Sequence, residues 1–218
     1  MKSKIPSLLA LATRLMPVVF ALCLCGCASS SIKQTWKSPA CQPGQVQKMA
    51  VLVVDDRGMV RQGVENRFVR DLRGRGQDVM ATHELLSLSE IKADKDAAAA
   101  RFRDAGVNAV LIVRMVDRTT YSREMRATPE CWVSTVTGYE NTGWYDYYSV
   151  AFMDMGVIWG SMKQNLYLNS SLFDLKTGQR LWSATTLTVL KENADRLEVA
   201  DSLVAKIVGA LRKDGLIR

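Results

Sequence analysis

Two short apolar runs constrain this chain more than any other feature: Met49-Ala50-Val51-Leu52-Val53-Val54 and Ala109-Val110-Leu111-Ile112-Val113. Both are apolar throughout rather than alternating, and both are rich in β-branched residues, the pattern of a strand covered on its two faces. Between them Val60, Val64, Phe68 and Leu72 recur every four residues, with Arg61, Glu65, Arg67 and Arg70 interleaved. That spacing predicts an amphipathic helix, stopped by Gly74 and Gly76. Asp78 to Thr82 predicts a short strand, and Leu85 to Gly106 a mostly helical stretch with Ala97 to Ala100, Phe102 and Ala105 inside. The order β-α-β-α-β favours a parallel core with crossover helices.

The second half changes character. Leu166, Leu168, Ser170 and Leu172 alternate with Tyr167, Asn169, Ser171 and Phe173, a strand with two unlike faces. Asp174-Leu175-Lys176-Thr177-Gly178 predicts a tight turn, with Gly178 suited to its positive-φ position. Arg180 to Leu190 returns as a strand, and Leu197, Ala200, Val204, Ile207, Val208 and Leu211 mark one face of a closing helix. The expected fold class is α/β: a single α/β sandwich with a mixed sheet, antiparallel in its second half and covered by helices, over residues 48–218.

The beginning of the chain is of another kind. Lys2, Lys4 and Arg14 precede a short apolar stretch from Leu15 to Leu24, the layout of a secretory signal over residues 1–26. Arg14 and Pro17 break the apolar run well short of the roughly 20 residues that a spanning helix needs. Leu24-Cys25-Gly26-Cys27 closely resembles the bacterial lipobox, which implies that the Cys27 thiol receives a diacylglycerol, with further acylation such as palmitate, and becomes the mature N-terminus. Without 1–26 the chain's 29 Lys and Arg fall to 26 against 22 Asp and Glu, so the net charge is +4 in place of +7. That small excess argues against a nucleic-acid partner, which calls for a clustered basic face.

Cys23 and Cys25 leave with the signal and Cys27 is acylated on this reading, so Cys41 and Cys131 remain. Outside the cytoplasm they form either a disulfide or two free thiols. Residues 27–47 are expected to be a lipidated flexible tether: Ser29, Ser30 and Ser31, then Pro39, Pro43 and Gly44, show no apolar period. Trp36 within it is expected to pack on its own domain.

Between the third predicted strand and the hairpin lies an insertion at about 118–163. It concentrates Trp132, Tyr139, Trp144, Tyr145, Tyr147, Tyr148, Phe152 and Trp159, together with Met153, Met155 and Met162. Insertions of this length inside a compact domain are usually either functional or mobile, and aromatic and Met side chains suit a protein interface or membrane contact. The same residues would also serve to enlarge the domain's own core, and both readings stand.

The inventory of chemistry points away from an enzyme. His83 is the single histidine, so no histidine pair can hold a metal, and a surface or helix-capping role is expected for it. Asp55 and Asp56 follow the first strand and are expected to cap the next helix or turn the chain. Arg73-Gly74-Arg75-Gly76 follows a helix rather than preceding one and lacks the Lys-Ser/Thr end of a phosphate loop. No catalytic residue, cofactor or metal is assigned.

The apolar first strand, the helix and Gly-bounded second strand, "AGVNAVLIVRMVD" (105–117), "LFDLKTGQRLWSATT" (172–186) and the closing "DGLI" (214–217) together resemble periplasmic lipoproteins of the CsgG, PelC and LpoB type. The likeness covers about 47–117 and 164–218 and is one of order and texture. It implies export rings or a prop for a cell-wall synthase. Ala28 after Cys27, rather than Asp, favours the outer membrane. The sequence thus leads to a non-enzymatic, periplasm-facing outer-membrane lipoprotein, working through envelope proteins and as a homo-oligomer in the ring case. The alternative is a monomeric module regulating an envelope protein, with an envelope hydrolase a remote third.

Overall fold

The computed structural model describes residues 29–116, 165–190 and 196–218. These form one six-stranded mixed sheet in the order β1-β6-β5-β4-β2-β3, flanked by helices. The strands are β1 (Ser29–Lys37), β2 (Lys48–Val54), β3 (Asp78–Ala81), β4 (Ala109–Val116), β5 (Asn165–Asp174) and β6 (Arg180–Val189). The helices are α1 (Gly58–Gly74), α2 (Leu88–Ala93), α3 (Lys95–Asp104) and α4 (Arg196–Lys213), with a 3-10 turn over Thr82–Glu84.

β2 pairs in parallel with β3 on one side and β4 on the other. The chain therefore leaves β2, returns to one flank and crosses to the opposite flank, which puts its helices on both faces. Phe68, Val69 and Leu72 of α1 and Leu203, Val204, Ile207 and Leu211 of α4 pack on Met49, Val51, Leu111 and Val113. Ile91 of α2 and Phe102 of α3 pack on Ala50, Leu52, Val110 and Ile112 on the other face. Successive side chains of one strand point to opposite faces, so a strand between two helical layers must be apolar at every position. That accounts for the unbroken apolar runs Met49–Val54 and Ala109–Val113.

β4, β5, β6 and β1 continue the sheet antiparallel. Gly178 closes the β5–β6 hairpin at φ +71°, a left-handed value that costs a residue with Cβ about 1–2 kcal/mol.

Three expectations change. Residues 29–37, expected within a linker, form edge strand β1, which pairs with β6 from Ser29↔Val189 to Lys37↔Trp182. Backbone pairing supplies the order that the side-chain pattern does not show. Leu85 to Gly106, expected as one helical stretch, is two helices parted at Asp94, whose carboxylate caps α3 by accepting from the amides of Asp96 and Ala97. The polar face of β5, with Asn169 and Ser171, is as buried as its apolar face.

Among the described residues no helix is long and apolar enough to cross a membrane. The signal at 1–26, Cys27, Cys131 and the insertion aromatics Trp132, Tyr139, Trp144, Tyr145, Tyr147, Tyr148, Phe152 and Trp159 lie outside the described residues.

Candidate functional site

Ligand sites of open α/β sheets form at the carboxyl ends of the parallel strands, and here that end holds a buried ionic cluster. The fully inward stripe of α1 runs through Arg61, Glu65, Phe68 and Leu72, with Val64 partly buried against the core beside it. Arg61 is 5% exposed and Glu65 is fully buried. The Glu65 carboxylate accepts five hydrogen bonds. Oε1 takes the Val53 amide at 3.0 Å, Arg61 Nε at 2.9 Å and the Thr82 hydroxyl at 2.8 Å. Oε2 takes the His83 amide at 2.8 Å and His83 Nδ1 at 2.7 Å. Arg61 Nη2 in turn donates to Thr82 Oγ1 at 3.0 Å and to the Leu86 carbonyl at 2.9 Å.

A carboxylate offers about four lone-pair directions, so Glu65 is saturated. The cluster ties the end of β2, the first half of α1 and the turn after β3 into one unit. The contact at Glu65 requires a proton on His83 Nδ1, because the carboxylate can only accept. His83, expected at the surface or as a cap, instead supplies two of the five donors, its amide and its ring Nδ1, with 16% of its side chain exposed.

Asp55 stands immediately after β2 and is 5% exposed. Its carboxylate accepts from the Arg57 amide at 2.9 Å and from Arg57 Nε and Nη2 at 3.1 and 2.9 Å. Burial pushes its pKa up, and the Arg57 bonds oppose that rise without cancelling it. The turn-forming role expected of Asp55 is the one found. No group of three or more His, Cys, Asp or Glu side chains among the described residues is arranged to hold a metal.

The same end of the sheet carries the chain's exits. Val116, the last residue of β4, pairs with Tyr167 near the start of β5, so both flanks of the 117–164 stretch are fixed here. Ser29, Val189 and Asn165 are neighbours across β1, β6 and β5. Ser30 Oγ meets Thr188 Oγ1 at 2.8 Å, and the Ser30 amide donates to Ser202 Oγ of α4 at 3.2 Å.

Cys41 lies at the opposite end, in the loop after β1, where its buried thiol is free. Burial raises its pKa, with the Lys37 ammonium opposing. A bond to Cys131 would need the residues after Val116 to travel the length of the sheet, about 33 Å for a ten-residue strand. The residues that sequence reading missed are Arg61, Glu65 and Thr82. An Arg and a Glu four apart, in register with Phe68 and Leu72, was the signal that could have found them.

No family model matches the chain, and no curated protein matches it. Among solved structures it is similar to the PelC dodecamer from Paraburkholderia phytofirmans, with 16% identity over 84% of this chain and 96% of that one, at a TM-score of 0.46. A single-substitution variant of that dodecamer gives 16% identity over 83% of this chain and 95% of that one, at a TM-score of 0.44.

Proposed function

We propose that this chain is a non-enzymatic lipoprotein of the outer membrane, facing the periplasm, that serves as a structural or assembly component of an envelope or export complex. On this reading residues 1–26 are a removed signal, Cys27 is acylated, and the insertion supplies the contact with a second copy or with an envelope protein. One observation carries the reading: β1 begins at Ser29, so the acylation site stands two residues outside an ordered sheet. A module that reaches up to a partner across the periplasm needs a long tether, and β1 takes up most of the stretch that would have supplied one. That favours an assembly seated at the membrane over the monomeric regulator. The two buried carboxylates at the carboxyl end of the sheet are spent internally, Glu65 on five donors and Asp55 on Arg57. This supports scaffolding over hydrolysis.

The test is the mass of the mature, acylated protein in mild detergent by size-exclusion chromatography with light scattering, beside a chain lacking residues 119–162. The expected result is a discrete oligomer that collapses on deletion. A monomer in both versions overturns self-assembly.

A further inference from the structure

The described residues leave three large apolar side chains exposed: Met59 at 89%, Leu197 at 55% and Val189 at 44%. They come from three separate elements, yet all stand at one end of the sheet. Met59 is in the first turn of α1, which starts just beyond the carboxyl end of β2. Val189 ends β6 and pairs with Ser29, the first residue of β1. Leu197 opens α4, whose Ser202 meets Ser30. The far end of α4 reaches the other end of the sheet, where Asp214 accepts from Trp182 Nε1 at 2.7 Å and from Lys37 Nζ at 2.8 Å.

That end is also where the chain arrives from Cys27. Two residues span at most about 7 Å. One headgroup layer is about 5–8 Å deep, taken as half the difference between the whole bilayer and its hydrocarbon core. An acyl group on Cys27 has its attachment point at the inner edge of that layer, so Ser29 is held within the layer or at its outer edge, at most about 7 Å from that point.

We propose that the end of the sheet formed by Ser29, Val189, Leu197 and Met59 rests directly on the lipid surface, with these apolar side chains in the headgroup layer. This rests on the acylation of Cys27. The occupant is a membrane rather than another protein because the acylation site itself, within about 7 Å of Ser29, brings the lipid to this end. Residues at the opposite end, including Pro39 and Pro43 in the loop between β1 and β2, then face away from the membrane.

The experiment is hydroxyl-radical footprinting of the acylated protein on phosphatidylethanolamine–phosphatidylglycerol vesicles, read by peptide mass, against a Cys27→Ser chain without vesicles. Flotation and the mass of the N-terminal peptide are recorded in parallel. Met59 and Leu197 are expected to be protected several-fold on vesicles, with Pro39 and Pro43 unchanged. A protein that is acylated and floats, yet is labelled equally at both ends, overturns this placement and leaves the lipoprotein reading standing. An unmodified Cys27 without flotation overturns both. Protection of Met59 in the Cys27→Ser chain alone overturns the placement in favour of a protein cover.

Discussion

At the residue scale the decisive side chain is Glu65. Removing one partner of a buried ion pair strands the other, at about 3–5 kcal/mol, and Glu65 also satisfies the Val53 and His83 amides. Glu65→Ala should therefore lower the stability measured by urea unfolding by about that amount. Glu65→Gln keeps an acceptor for the Val53 amide and should cost less; equal costs would show that the charge of Glu65 carries the whole effect and the retained acceptor adds nothing. Cys41 makes a second test. Burial raises its pKa, so less thiolate is present at pH 8 than in the unfolded chain. Alkylation of the folded protein should be much slower than in urea, followed at the Cys41 peptide by mass. Reaction at the unfolded rate would show that the thiol is open, and a Cys41–Cys131 peptide would show the disulfide instead. Neither the cluster nor the burial of Cys41 was legible beforehand. A period-four apolar count assigns charged residues to solvent; the register of Arg61 and Glu65 with Phe68 and Leu72 was the one sign that they turn inward, and the tertiary neighbours Val53, Thr82 and His83 explain why they do.

At the scale of elements, legibility followed the source of the order. β2 and β4 were readable because helices cover both their faces and every position is apolar. The hairpin was readable because its turn needs particular residues. Asp174 Oδ1 accepts from the Lys176 amide at 3.0 Å, the Thr177 amide at 2.7 Å and the Thr177 hydroxyl at 3.0 Å, and Oδ2 takes Gln45 Nε2 at 3.3 Å. Burial alone would raise its pKa, but the Thr177, Gln45 and Lys176 bonds outweigh it and hold it below the usual carboxylate range. A depressed carboxylate contributes stability that is present above its unfolded pKa, near 3.9, and is lost as pH falls through the lower folded value. Asp174→Ala should thus cost about 1–3 kcal/mol at neutral pH, and the gap from the parent should close on acidification below about pH 4. A gap independent of pH would remove the carboxylate from the explanation. β1 was not readable, because it is ordered by the free edge of β6 and by contacts such as Ser30 with Thr188. A bulge interrupts its register between Ile32 and Gln34, a device that discourages further pairing at an edge. Its amides should exchange more slowly than those of a linker and faster than those of β4; exchange at random-coil rates would remove β1 from the sheet in solution.

At the scale of the whole molecule, β1 changes what acylation of Cys27 would do. With a flexible 20-residue tether, lipid fixes only which membrane the domain visits; with β1 starting at Ser29 it fixes orientation too. The two effects separate in a chain carrying ten Gly and Ser residues inserted after Ala28. Such an insert has a root-mean-square span of about 17 Å, enough to lift the sheet end clear of a headgroup layer about 5–8 Å deep. All of β1 and its pairing with β6 remain, so thermal unfolding should not shift. Acylation and flotation should also be unchanged, since the sequence through Cys27 is untouched. What should be lost is the protection of Met59 and Leu197 on vesicles, because once the constraint is relaxed those side chains leave the lipid whenever the domain rotates. If protection persists with the longer connection, the apolar side chains hold that end on the membrane by their own affinity and the short connection is not what orients the domain.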